Sequence, residues 1–146
     1  MTLQNLLKIQ SLLTFEAQRE DVQRLLAAAE RNLNDAAITA ISDENRFDAA
    51  YKCVMQCAMA SLFAHGYRLS KSKPGHHQTA IQTLPLTVGL DARTTVVLDG
   101  LRKQRNINDY EGDPISPTAV DECIEQAQAL LLHVRAWLNQ HRPELG

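Results

Sequence analysis

Apolar residues recur at steps of three and four over most of this chain, and that spacing restricts the fold to amphipathic helices packed on one another. Between Glu20 and Ile41 they fall at Val22, Leu25, Leu26, Ala29, Leu33, Ala36, Ala37 and Ile41, which predicts one long helix. Ser42 then precedes Asp43 and Glu44. A hydroxyl N-cap followed by first-turn carboxylates suits the positive end of a second helix dipole. That helix runs through Phe47, Ala50, Tyr51, Val54, Cys57, Ala58, Ser61 and Leu62 and stops at Gly66. Its many small residues let neighbouring helices approach closely.

The polar, basic stretch Arg68 to Gly75 contains the turn pair Pro74-Gly75 and reads as a loop. A helix restarts near His76, with Ala80, Ile81 and Leu84 inward, and Pro85 to Gly89 interrupts or bends it. From about Asp91 the run Val96, Val97, Leu98 and Leu101 predicts another helix, which Gly112 and Pro114 stop soon after Tyr110. The final helix has the clearest start. Ser116 is the N-cap, Pro117 takes the first helical position, and Ile115 is placed to staple against Val120. Its apolar face continues through Cys123, Ile124, Ala127, Leu130, Leu131, Val134 and Leu138, with His141 left to the tail. The segment Leu3 to Leu13 is a short docking helix or a surface for a second subunit. No alternating β-branched run is bounded by hairpin residues, so no sheet is expected. The fold class is all-α: a bundle of four main helices with one or two short ones.

With 146 residues and 45% hydrophobic content, the chain suits a single domain spanning 1–146. No run reaches the roughly 18 apolar residues of a bilayer span, and the N-terminus lacks a basic leader with a cleavage site. A cytoplasmic protein with no membrane partner is the expectation. Cys53, Cys57 and Cys123 form no CxxC pair and read as reduced thiols in helices. Cys53 and Cys57 share a helical face, but no His or carboxylate is placed to complete a tetrahedral set, so neither metal nor cofactor is expected.

Charge is unevenly spread. Residues 66–105 carry seven Lys/Arg against Asp91 and Asp99, whereas 106–146 carry two against seven acids. Such a basic zone attracts phosphates or is a solvated face. It culminates in the segment Leu101 to Asp113. Arg102, Asn106 and Tyr110 stand at i, i+4 and i+8 on one helical face, with Arg105 and Asp109 on an adjoining row. Guanidinium forks suit phosphate oxygens, and an amide with a phenol suits a base or ribose hydroxyl. The structural alternative pairs Arg105 with Asp109 and Arg102 with Asp99, and packs Tyr110 on the final helix. His76 and His77 begin a helix after a basic loop, where one of them could meet a phosphate. His65 and His133 lie on or beside apolar stripes and read as satisfied boundary histidines.

The segment Arg105-Asn106 to Tyr110 resembles the signature of the HEPN (higher eukaryotes and prokaryotes nucleotide-binding) family, an Arg, a polar residue and then a His four to six residues on. Here it is closest to the variant with Tyr in place of His. The long helix from Tyr51, the turn Gly66-Tyr67-Arg68 and the helix start Gly75-His76-His77 resemble further HEPN features, and the likeness spans about residues 20–140. It implies a bundle that dimerises with its Arg motifs across a cleft. It further implies binding of RNA or a nucleotide, or metal-independent endoribonuclease activity of toxin type, with a nucleotidyltransferase antitoxin or a defence-system protein as partner. A structural, non-catalytic dimer module is the remaining possibility.

In this resemblance Arg105 and Tyr110 are the catalytic pair, and Arg102, Asn106, His76 and His77 bind the RNA or nucleotide. The chain departs from the signature at Tyr110. An ordinary phenol is only about one part in a thousand ionised at pH 7, so it is a weak base but a competent hydrogen-bond donor.

Overall fold

The computed structural model describes residues 1–146. In chain order the elements are α1 (Leu3–Lys8), β1 (Leu12–Thr14), α2 (Arg19–Ala36), α3 (Asp43–Ala64), β2 (Tyr67–Leu69), α4 (His76–Gln82), α5 (Leu84–Thr87), α6 (Ala92–Glu111) and α7 (Pro117–His141). The all-α class holds, with the four long helices expected and three short ones where one or two were expected.

The central element is α3, which packs most extensively on α2 and α7. Its buried residues include Phe47, Ala50, Tyr51, Cys53, Val54, Cys57, Ala58 and Leu62, which cover about half of the helix circumference, while Asn45 and Lys52 on the other side are exposed. A helix with so wide a buried face packs against several neighbours at once. Small residues make the close packing possible. Cys53 Sγ lies 3.9 Å from the Ala127 carbonyl of α7, and Cys123 Sγ of α7 lies 3.9 Å from the Phe47 carbonyl. By contrast α6 is peripheral, held mainly through α4 with fewer contacts to α3, α5 and α7.

Helix ends follow side-chain chemistry. Ser42, Asp91 and Ser116 each accept the backbone N–H three residues on, from Asn45, Thr94 and Ala119. Each thereby satisfies one of the orphan donors at a helix start. At the opposite ends two arginines reach across the chain. Arg46 Nε donates to the Ala36 carbonyl at 2.9 Å and closes α2, and Arg142 donates to the Ala64 carbonyl and closes α3. Gly112 ends α6 with φ 69°, a left-handed conformation that glycine adopts without steric cost.

Several expectations need correction. A two-stranded antiparallel sheet is present, pairing Leu12 with Leu69, Leu13 with Arg68 and Thr14 with Tyr67. It fastens the N-terminal segment to the turn after α3, with Leu12 and Leu69 both buried. Helix α2 stops at Ala36 instead of continuing to Ile41, and Ile38 and Ile41 are exposed. The cause is local: Ser42 must be extended (φ −63°, ψ 151°) to cap α3, and Arg46 takes the Ala36 carbonyl. The Pro85 to Gly89 interruption contains its own short helix, α5, with proline in its first turn. Val96, placed inward by its pattern, is 72% exposed. His141 belongs to α7 and stacks on Trp137, with ring centroids 4.8 Å apart.

His65 and His133 are boundary histidines with satisfied rings. Nε2 of His65 lies 2.8 Å from the Thr87 carbonyl, and Nε2 of His133 lies 2.7 Å from the Val88 carbonyl. With Nε2 protonated, both donate to the end of α5, where the carbonyls have no helical partner. The two imidazoles thus fasten the turn between α5 and α6 onto α3 and α7.

Candidate functional site

Three elements meet where the basic zone is densest. Helix α3 brings Asp48, Tyr51 and Lys52, the start of α4 brings His76 and His77, and the inner face of α6 brings Asp99, Arg102 and Arg105. Tyr51 is 2% exposed, and its hydroxyl lies 3.3 Å from Nδ1 of His77. The Arg105 guanidinium carbon sits 5.0 Å from the centroid of the Tyr51 ring, a cation–π arrangement. His76 and His77 meet edge to face with centroids 4.6 Å apart.

Arg105 is held from one side. Its Nε donates to Asp48 Oδ1 at 3.0 Å, whereas Asp109 stands 3.9 Å from Nη2. The expected partner one turn along α6 is therefore secondary to a carboxylate on another helix. A guanidinium has five N–H donors, so this grip leaves donors on the same fork for a phosphate oxygen. Arg102 pairs with Asp99 as its spacing predicts, with Nε 2.8 Å from Oδ1. Lys52 is exposed, 3.5 Å from Asp48 Oδ2.

The resulting groove has a volume of about 340 Å³ and is lined by Tyr51, Lys52, Met55, Gln56, His77 and Arg105. Burial, the neighbouring His76 and the cations Arg105 and Arg102 all hold the His77 pKa below its usual value. Its imidazole is therefore neutral at pH 7. Burial pushes the Tyr51 phenol up to about 12, against the opposing pull of Arg105 and Arg102. The pair is a neutral imidazole beside a protonated phenol, with a guanidinium over the phenol ring.

Of the residues singled out in the sequence, Arg105 and His77 line the same groove, and Arg102 acts on both His77 and Tyr51 through its charge. His76 touches the His77 ring. Asn106 and Tyr110 do not join them. Asn106 is exposed, and Tyr110 is 90% exposed near the end of α6, so its ring does not pack on α7 as the structural alternative supposed. Tyr51 and Asp48 were missed as members of the site. Tyr51 falls within a run of core positions, and only its phenol, a group that seeks a polar partner when buried, distinguishes it.

The outer face of α6 carries a second feature. Val96, Gly100, Lys103, Ile107 and Tyr110 are all exposed and recur at steps of four, three, four and three, which places them on one stripe. At 100° per residue that stripe lies opposite Arg105.

No family model, curated protein or solved structure matches the chain.

Proposed function

We propose that the chain is a HEPN-type protein that binds RNA or a nucleotide by holding a phosphate in the groove between α3, α4 and α6. The observation that carries this reading is the convergence of Arg105 and neutral His77 on one groove, with Tyr51 contacting both. Arg105 supplies charge-assisted hydrogen bonds, Lys52 adds a mobile cation at the rim, and His77 hydrogen-bonds a ribose hydroxyl or a phosphate oxygen. The charged side chains that line the groove, Lys52 and Arg105, are both cations, and Asp48 is paired with each of them. Anisotropy of a labelled single-stranded RNA tests the proposal. Wild type binds with a salt-dependent affinity, and Arg105→Gln weakens binding and flattens the salt dependence because fewer counterions are released. Equal affinity and slope in the two proteins would overturn it.

A ribonuclease reading has its own support in His77. When Nδ1–H donates to the Tyr51 oxygen, Nε2 carries a lone pair, and a neutral imidazole can take the proton of a ribose 2′-OH while Arg105 stabilises the phosphoryl charge. In this reading His77 carries the role that the family gives to the histidine of its signature, and Tyr110 stands apart. Cleavage in the presence of a chelator, lost in His77→Ala and retained in Tyr110→Phe, is the expected pattern. Loss in Tyr110→Phe alone would return the role to Tyr110. The same likeness brings with it a nucleotidyltransferase antitoxin or a defence-system protein as partner.

The proposal includes a homodimer. The exposed stripe of Val96, Ile107 and Tyr110 on α6, with Lys103 among them, offers an apolar surface to a second copy. Because it faces away from Arg105, a dimer formed there leaves both phosphate grooves open and departs from the arrangement the resemblance implies, in which the Arg motifs face each other across a cleft.

A further inference from the structure

A larger cavity of about 510 Å³ opens beside the groove, between α3, β2 and α4. Its volume lies within the range of roughly 300–1,000 Å³ typical of small-molecule sites. The floor is apolar: Met55, Met59, Leu62, Phe63 and Leu69. Methionine side chains adapt to the shape of an apolar guest. The polar lining consists of Arg68, Lys71, His76 and His77, with no carboxylate and no amide. The wider sequence is consistent with this, since no Asp or Glu occurs between Asp48 and Asp91.

This lining discriminates among occupants. Arginine and lysine only donate hydrogen bonds, so among the polar lining side chains a guest with donors of its own, such as the amino group of adenine or cytosine, finds an acceptor only at an unprotonated imidazole nitrogen. A second copy docking by the same patch would set like charges against each other. An apolar tail ending in a single acidic group meets both requirements, with the tail on the methionines and phenylalanine and the anion between Arg68 and Lys71.

We propose that the cavity between α3, β2 and α4 is a binding site for a small organic carboxylate with an apolar chain. The site adjoins the phosphate groove and draws its anion-binding cations from other residues, with Met55 and His77 bordering both. Occupation of the cavity therefore touches the imidazole that faces Arg105.

Calorimetric titration of the full 146-residue chain with decanoate, below its micelle concentration, tests this. Saturable binding of one decanoate per chain is expected, with no saturable binding of decyltrimethylammonium, which has the same tail and the opposite charge. Arg68 and Lys71 are both exposed, so the double variant Arg68→Glu/Lys71→Glu should fold. It should bind decanoate about tenfold to a hundredfold more weakly, as expected for the loss of a charge-assisted hydrogen bond. Met59→Trp fills the cavity and should abolish binding. Arg105→Gln should leave decanoate binding intact while weakening RNA binding, so failure of one site is distinguishable from failure of the other. Absence of decanoate binding, equal binding of the cationic analogue, or displacement of decanoate by a nucleoside monophosphate at equal concentration would each overturn the proposal.

Discussion

The phenol oxygen of Tyr51 lies 3.3 Å from Nδ1 of His77, which ties the central helix to the start of α4 at the edge of the groove. Because His77 is half-buried and faced by Arg105, Arg102 and His76, its folded-state pKa lies below the unfolded value of about 6.5. Between those two pKa values the unfolded chain binds more protons than the folded one, so stability rises with pH across that window. The contribution is fully present above about pH 6.5 and is lost as pH falls through the folded pKa. An NMR titration of the ring protons should place His77 below a solvated histidine, and Arg105→Gln should move it upward. A midpoint at or above the solvated value would contradict this.

Tyr51 offers a graded test of packing against polarity. Tyr51→Phe keeps the ring under Arg105 and removes only the hydroxyl, at a cost of about 1 kcal/mol. Tyr51→Ala empties a core position and should cost about 3–5 kcal/mol. Urea denaturation of the two variants checks the ranking. Spectroscopic titration of wild type should also find a phenol that stays protonated to about pH 12 and is absent from Tyr51→Phe.

His65 and His133 should matter to stability and not to ligand binding. Removing either leaves a carbonyl at the end of α5, that of Thr87 or Val88, without its donor. His65→Ala and His133→Ala should each cost about 1–3 kcal/mol in urea denaturation while leaving RNA affinity unchanged. Weaker RNA binding by either variant would contradict this assignment.

Much of the fold is readable wherever a cap and a periodic stripe agree. Ser116-Pro117 starts α7 and Ser42 starts α3 as their chemistry predicts, and Gly112 ends α6. The sheet is not readable because three residues per strand are too few to establish an alternating pattern. The end of α2 was obscured because Ile38 and Ile41 continue the apolar count after the backbone has turned toward Ser42. Within the site, Arg102 with Asp99 is a local pair and could be anticipated. The link from Arg105 to Asp48 crosses from α6 to α3 and depends on packing that no local spacing encodes. Tyr51 was legible as a core residue, but its hydroxyl's partner lies on α4.

The outer stripe of α6 predicts how the chain self-associates. Sedimentation of wild type should show a dimer, and Ile107→Asp, which sets a charge in the middle of the stripe, should yield a folded monomer. Because the stripe lies opposite Arg105, the monomeric variant should keep its RNA affinity. A dimer unaffected by Ile107→Asp would move the interface elsewhere.

The central claim is that a phosphate-bearing ligand seats between Arg105 and His77. Titration of a short single-stranded RNA into the protein, followed through the His77 ring signals and the Met55 methyl signal, tests it most directly. Saturable shifts at both residues, absent in Arg105→Gln and accompanied by no change at the His133 ring, which lines neither cavity, are the predicted result. RNA that binds without moving either signal, or no binding at low salt, would contradict the account.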